Sequence, residues 1–537
     1  MKSAKLFFIV FFLFQLASSL QSQTIYVSGP IVSNTTWAAD TVKITGDINV
    51  GQGVVLSVEP GTYVEVQGYF RIYVSGSVRA IGTSTDSIVF TARHTAGFWD
   101  DTLSVAGGWA GFNIMSTYAS ADSSVFEFCK IQYGKRYGEY GDDIKGGALF
   151  VSDYGTLIIR NCFVNSNMVI CYEGGIDGCA GGAVYCKKVN IVTIVNNRFE
   201  RNRSFDNGGA IHADIMCQTL IDNNIFQYNR SIEWERIGSL FVISGSGAAI
   251  ATSDDPGYSP VISNNRFFGN TCIGGIIYTS NRNCLIFNNL VCNNYGSGIM
   301  DGHQLSMSRI FNNTVVNNET YSGGMNISSY ARIYNNIVWG NEPYPRAITE
   351  QIHTFPGFSS PSLFYNCVQY GNGGPNSTSE YPEFAHPSDG AGLAYSGAEA
   401  DWTLGDYTPC INRGTLDTAG LFIPAFDLVG NTRIYGVRID MGCYENQSVL
   451  TGITDAIGAD EKASVYPNPG SNQLNIRSQE PQAYFELSNM TGQLMIQQRI
   501  AEGTSSLDTE SLKPGIYFYR LRNDQNAVIG SGKWVKN

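Results

Sequence analysis

Asn289-Leu290-Val291-Cys292-Asn293-Asn294 returns as Asn313-Thr314-Val315-Val316-Asn317-Asn318 and again as Asn336-Ile337-Val338-Trp339-Gly340-Asn341. The shared pattern is Asn-x-(Phe/Val)-x-x-(Asn/Ser). Earlier copies begin at Asn161, Asn197, Asn224 and Asn265, so successive starts lie 36, 27, 41, 24, 24 and 23 residues apart. The shortest steps define a unit of 23 or 24 residues, and the longer ones are that unit plus an insertion. Two residues into each copy stands Phe163, Phe199, Phe226, Phe267, Val291, Val315 or Val338. A position that is always apolar is expected to point inward. A Gly-rich turn entering an apolar strand follows every copy but the last, at Gly182, Gly209, Gly247, Gly275, Gly298 and Gly324. Gly147 is the same turn for an earlier, degenerate coil.

Such a unit cannot bury its apolar face alone, and stacking solves that. Coils rising by about 4.8 Å would place equivalent residues above one another. Asn161, Asn197, Asn224, Asn265, Asn289, Asn313 and Asn336 are then expected to form a ladder of stacked amides, and the glycines to supply bends with φ > 0. Composition agrees with an all-β chain: 59 Gly, 30 Tyr and 29 Phe against 15% charged residues. The pattern resembles the right-handed parallel β-helix of the pectin-lyase-like superfamily, over roughly residues 24 to 445. Thr45-Gly46-Asp47-Ile48, Val58-Glu59-Pro60-Gly61-Thr62 and Ala80-Ile81-Gly82-Thr83 are similar to the early coils of secreted bacterial members. Residues Asp427 to Arg433 and Asp440 to Glu445 resemble the segment that closes such helices. A small residue usually stands where this chain has Cys443, and with Cys410 in the preceding Thr-Pro-Cys-Ile-Asn segment this departure makes a Cys410 to Cys443 disulfide an expectation.

The last residues carry a second resemblance. Val465-Tyr466-Pro467-Asn468-Pro469, then Glu486 to Gln493, Leu512 to Tyr519 and Lys533-Trp534-Val535-Lys536 resemble the type A C-terminal sorting domain of the Bacteroidetes type IX secretion system. This implies a small β-sandwich, the type IX machinery as partner of residues 463–537, and a location that is secreted or on the outer-membrane exterior. Lys2 and Lys5 before the apolar run Leu6 to Leu16 read as a signal peptide over residues 1–22. No other run reaches the roughly 20 apolar residues of a membrane span. The expected organisation is therefore a signal peptide (1–22), β-helix coils with an N-terminal cap (24–345), later coils and a capping segment (346–445), a linker (446–462) and the sorting domain (463–537).

A net charge of -12 argues against a nucleic-acid partner. Between the second polar landmark of each unit and the following Gly, the early coils run 13, 16, 7 and 18 residues, whereas the later ones run 5, 4 and 6. The long loops therefore leave one corner of successive coils and should stack into a wall, where repeat proteins place binding function. The first carries Lys135, Arg136, Tyr137, Glu139, Tyr140, Asp142 and Asp143; the fourth carries Arg230, Glu233, Trp234, Glu235 and Arg236; Asp254, Asp255 and Tyr258 follow. Rings beside carboxylates suit a sugar, and the candidate ligand contacts are Tyr137, Tyr140, Asp142, Asp143, Glu233, Trp234, Glu235, Asp254 and Asp255. Solvated loops packing on the coils are the alternative. Cys171 and Cys179 are expected to staple the second loop, and no His completes a zinc spacing.

Binding of polysaccharide or another surface ligand leads. The alternatives are a polysaccharide lyase, for which calcium would be the cofactor, or a glycoside hydrolase, and a structural surface component. Asp254-Asp255, Gly302-His303 and Arg309-Ile310 follow the hydrolase order, yet Gln304 follows the histidine and no Lys follows Ile310.

Overall fold

The described coils turn buried apolar side chains toward a common interior, and the result is a stack of parallel strands wound as a right-handed β-helix. The computed structural model describes residues 23–116, 122–139, 141–171, 178–231, 233–237, 240–253, 255, 257–327, 330–343, 350–354, 360–415, 423–436, 438–448, 463–489, 493–524 and 528–537. The expected signal peptide lies outside the described residues, as does most of the linker. The chain divides into two units, Met1–Gln447 and Ser448–Asn537.

In the first unit 39 strands join one sheet. Three ladders run along it. The first contains Val261–Ser263, Leu285–Phe287, Arg309–Phe311 and Arg332–Tyr334. The second contains Arg198–Glu200, Ile225–Gln227, Arg266–Phe268, Leu290–Cys292 and Thr314–Val316. The third contains Ile211–Ala213, Ile250–Thr252 and the ends of Thr271–Thr279 and Tyr295–Asp301. From Lys135–Gly138 onward a short fourth ladder enters between the second and third, through Met168–Cys171, Arg203–Ser204 and Arg230–Ser231.

The inward residues stack in columns. Ile159, Ile194, Ile221, Ile262, Ile286, Ile310 and Ile333 follow one another on the first ladder, all fully buried. On the second, Phe199, Phe226 and Phe267 stack at 5.1 and 4.9 Å between ring centroids and lead into Val291, Val315 and Val338.

Two amide ladders fix the corners on either side of the second strand. At the first corner, Nδ2 of Asn197, Asn224, Asn265, Asn289, Asn313 and Asn336 donates to Oδ1 of the Asn one coil on, ending at Asn366, at 3.0 to 3.1 Å. At the second, the same chain runs through Asn167, Asn202, Asn229, Asn270, Asn294, Asn318 and Asn341 to Gln351. Each amide also donates to a backbone carbonyl inside the stack, which satisfies groups that would be costly to bury unpaired.

Asn161 is not a rung. Phe163 pairs with Arg198 and Val164 with Phe199, so the register is one residue later than the repeat suggests. Cys162 takes the ladder position: its N–H donates to Asn197 Oδ1 at 2.8 Å and its thiol to the carbonyl of Phe126. Asn161 is the left-handed residue before it, with φ 55°, as Asn196, Asn223, Asn264, Asn288, Asn312 and Asn335 are in later coils.

The glycines also differ from expectation. Positive φ is found at Gly247 as expected, but in the three coils before it belongs to the preceding residue, Gly146, Gly181 and Gly208. At Gly147, Gly182 and Gly209 the reason for glycine is contact: a Cβ would lie 2.3, 2.1 and 2.2 Å from a carbonyl oxygen of the neighbouring coil.

Residues 384–445 do not merely close the last coil. The described residues of this range lie along the outer face of the second ladder, because Phe268, Leu290, Cys292, Val316 and Ile337 leave that face apolar and pack with Phe384, Trp402, Leu428, Met441 and Tyr444. Outward Asn residues pin them: Asn312 Nδ2 donates to Asp440 O, Asn288 Nδ2 to Phe426 O and Asn317 Nδ2 to Ser388 O, at 3.0 to 3.2 Å. The Cys410–Cys443 bridge is absent, because Cys410 meets Cys367 whereas Cys443 faces Cys292 and Thr314.

The second unit is an antiparallel sheet of five strands, Ala463–Tyr466, Gln473–Asn489, Leu494–Asp508, Gly515–Asn523 and Val528–Lys536. It wraps a core of its own, in which Leu474, Phe485, Leu487, Leu521 and Trp534 are buried.

Candidate functional site

The four long insertions leave between the same two ladders, since the strands before and after them are in register from coil to coil. The first insertion contains a single 3-10 turn, Gly141–Ile144, and the fourth is an antiparallel hairpin of Glu233–Ile237 and Leu240–Ser244. A Cys171–Cys179 disulfide closes the second.

The expected ligand contacts fare differently. Asp142 and Asp143 are exposed, and Asp143 is held by Arg71 at 2.8 Å. Tyr137 is half-buried and packs with Phe98, Met168 and Ile170. Glu233, Trp234 and Glu235 fall on the hairpin's first strand. Asp255 holds a turn, its carboxylate accepting from Met216 N at 3.0 Å and Gly257 N at 2.9 Å. Tyr140 and Asp254 lie outside the described residues. His303 likewise serves a turn, its Nδ1 accepting from Leu305 N at 2.9 Å. Among the described residues no group of three His, Cys, Asp or Glu is arranged to hold a metal.

Lys135 and Arg136 are not loop residues at all but fully buried. Arg136 donates to the carbonyls of Asp142 and Phe112 at 3.0 and 2.8 Å, and burial lowers its pKa to about 9. Lys135 Nζ donates to the carbonyls of Gly97, Phe98, Asp101 and Ala106 at 3.3, 3.1, 2.7 and 2.9 Å. One ammonium thus gathers the loop 97–106 and presents Trp99, which is 41% exposed.

Trp99 forms one side of a groove of about 410 Å³ that sequence reasoning did not assemble, lined also by Arg201, Asn202, Arg203, Tyr228 and Arg230. Arg203 and Arg230 occupy the same position on neighbouring coils, one strand spacing apart. Burial lowers the pKa of both, and for Arg203 the charge of Arg230 adds to the effect. The Nε of each is buried without an acceptor. Stacking two cations that no described carboxylate neutralises costs on the order of 1 kcal/mol even in water.

Arg201 and Tyr228 sit at the second corner with φ 52° and 56°. In later coils that left-handed position is Gly269, Asn293, Asn317 or Gly340, the residue types that tolerate it. A bulky side chain there costs roughly 1 to 2 kcal/mol, and both reach solvent: the Arg201 side chain is 64% exposed and Tyr228 is 51% exposed. The Arg201 guanidinium lies over the Tyr228 ring, 6.0 Å from its centroid, and touches Glu200 at 3.6 Å. The Tyr228 ring in turn lies against Gly269 of the next coil, where a Cβ would come within 2.6 Å of it. The signal available in the sequence was this substitution of Arg and Tyr into a Gly/Asn position.

Residues 464–537 match the family model of the Secretion system C-terminal sorting domain. A solved pectate lyase, Pel9A, is similar over 72% of this chain and 88% of its own, at 14% sequence identity and a TM-score of 0.34. Among curated proteins no sequence match was found. Among the described residues no helix is long and apolar enough to cross a membrane. The chain is a secreted or cell-surface protein, a right-handed parallel β-helix carried by a type IX C-terminal sorting domain.

Proposed function

We propose that this exported β-helix binds an acidic polysaccharide in the groove of Trp99, Arg201, Arg203, Tyr228 and Arg230. The observation that supports it is the in-register pair Arg203 and Arg230, unneutralised among the described residues, beside two exposed rings on a chain of net charge -12. Guanidinium groups match carboxylate or sulfate oxygens in a bidentate manner. Exposed rings stack against the C–H faces of sugar units.

The test is a retention panel on the full exported chain, with polyuronates, sulfated glycans and neutral glucans, read for product release as well. Retention of acidic polymers alone is expected. Arg203→Ala with Arg230→Ala should weaken it at least about tenfold, about 1.4 kcal/mol. Equal retention of neutral glucans, or an unaffected double variant, would remove the reading. Release of unsaturated products would make the groove part of a lyase.

A further inference from the structure

Besides the Cys171–Cys179 bridge the chain holds ten cysteines as buried thiols, and one pair of them spans a boundary in the fold. Cys367 opens the strand Cys367–Val368 of the second ladder, in register with Ile337 of the coil before. In earlier coils that outward position holds Ile225, Arg266, Leu290 or Thr314. Cys367 is nevertheless fully buried, because the segment that begins at Phe384 covers it together with Leu290 and Ile337. Cys410 belongs to that covering segment and is fully buried as well. Its N–H donates to Thr408 Oγ1 at 3.2 Å and its carbonyl accepts from Met441 N at 3.1 Å. The two thiols hydrogen-bond one another.

Other neighbouring thiols are engaged differently. Cys292 and Cys443 face each other across the same boundary, yet Cys292 Sγ donates to the carbonyl of Gly397 at 3.7 Å and Cys443 bonds to Thr314. Cys129 and Cys162 touch at the first corner, where their sulfurs donate to the carbonyls of Ala80, Glu127, Phe126 and Arg160 at 3.2 to 3.4 Å, the work done by Asn amides in later coils. Cys367 Sγ reaches Glu380 O at 3.4 Å, but among the described residues the Cys410 sulfur has no partner other than Cys367. A thiol is a weak donor and a weak acceptor, so this contact holds the segment poorly while both sulfurs stay reduced.

We infer that Cys367 and Cys410 are joined as a disulfide in the exported protein, which fastens the covering segment to the coils. The sorting domain carries the chain out of the reducing cytosol, where such bonds form and persist. The step is a two-electron oxidation by exchange with an oxidised dithiol carrier. One cysteine thiolate attacks a carrier sulfur and expels the other. The second cysteine attacks the mixed disulfide and expels the first, so one S–S bond forms in the chain, one breaks in the carrier, and the two protons pass to the reduced carrier. The hydrogen bond with Cys410 and then burial hold the Cys367 thiol above the ordinary thiol range in the seated segment, which assigns the exchange to the chain before seating.

The experiment collects the full exported chain in N-ethylmaleimide, unfolds it in the same reagent, digests it without reductant and maps the cysteine peptides by mass. A linked pair containing Cys367 and Cys410 is expected, with Cys292 and Cys443 labelled. Labelled Cys367 and Cys410 would overturn the proposal, and so would a bridge from Cys410 to Cys443. On the folded chain, a reductant should speed amide exchange in the described residues from 384 to 445 at least about tenfold. It should leave that region unchanged in Cys367→Ala with Cys410→Ala, which keeps the Cys171–Cys179 bridge as the common background. Exchange indifferent to reductant in the wild type would count against the bond. Cys410→Ala alone serves where the double variant does not fold: Cys367 should then carry the label.

Discussion

Asn289→Ala removes one rung from the first amide ladder, and its cost can be worked from the bonds it breaks. Asn289 Nδ2 donates to Ile262 O, Phe287 O and Asn313 Oδ1 at 2.9, 2.9 and 3.0 Å, and its Oδ1 accepts from Asn265 N and Nδ2, both at 3.0 Å. Asn265 Nδ2 keeps Ile221 O and Asn313 Oδ1 keeps Asn289 N, so these partners stay satisfied. Asn265 N, fully buried, is left with no acceptor. That orphan costs about 1 to 3 kcal/mol, and the shared bonds add about 0.5 to 1.5 kcal/mol each before relaxation. We expect a total of about 3 to 5 kcal/mol. Asn161→Ala is the internal control: its amide reaches only Glu127 Oε1 at 3.5 Å, and the loss is about 1 kcal/mol from a left-handed residue without Asn. Urea unfolding of both variants, with amide hydrogen exchange to locate the opening, gives the comparison. A cost for Asn289→Ala no larger than for Asn161→Ala would refute the reasoning.

Further outcomes follow from buried charges. Lys135→Met should release the loop 97–106 and with it Trp99, read as a shift in tryptophan emission and new proteolytic cleavage; unchanged protection would deny the ammonium its role. In the capping segment, burial and then Asp440 push Glu445 up to about 8, and burial pushes Asp440 up to about 6, around the buried Arg433. Folded values above the ordinary 4.5 and 3.8 mean that protons favour the packed cap. Its stability should be full at acid pH and fall as pH rises through about 6 and 8, seen as faster exchange in residues 427–445. Glu445→Gln should flatten that loss. His212 has the opposite sign: burial lowers it to about 4, so its contribution is present above the ordinary 6.5 and lost as pH falls through 4. His212→Gln should remove that part of the acid limb of thermal stability.

The coil architecture was legible because stacking forces periodicity on the chain: inward apolar residues and corner amides must recur at each turn. The register at Asn161 was not, because Cys162 stands where an Asn is the rule and leaves Asn161 as the visible polar residue. The doublets Asn196-Asn197, Asn223-Asn224, Asn264-Asn265 and Asn288-Asn289 carry the correct register, the first residue left-handed and outward, the second a rung. Loop composition misled for Lys135 and Arg136, since charge alone reads as solvent-facing while both are capped by carbonyls. The groove was out of reach because Trp99, Arg201 and Arg230 meet only through coil stacking and the Lys135 cage.

Binding of an acidic polysaccharide in the groove depends most on Arg203 and Arg230 acting as one anion-binding pair. Its most direct measurement is the affinity of the full chain for a polyuronate as a function of salt, for wild type and for Arg203→Ala with Arg230→Ala. Counterion release ties the slope of log K against log salt to the number of phosphate-like contacts neutralised, about one per arginine. A wild-type affinity that falls steeply with salt, and a variant both weaker and less steep by about two, is the predicted result. Parallel lines for the two proteins, or binding indifferent to salt, would contradict it.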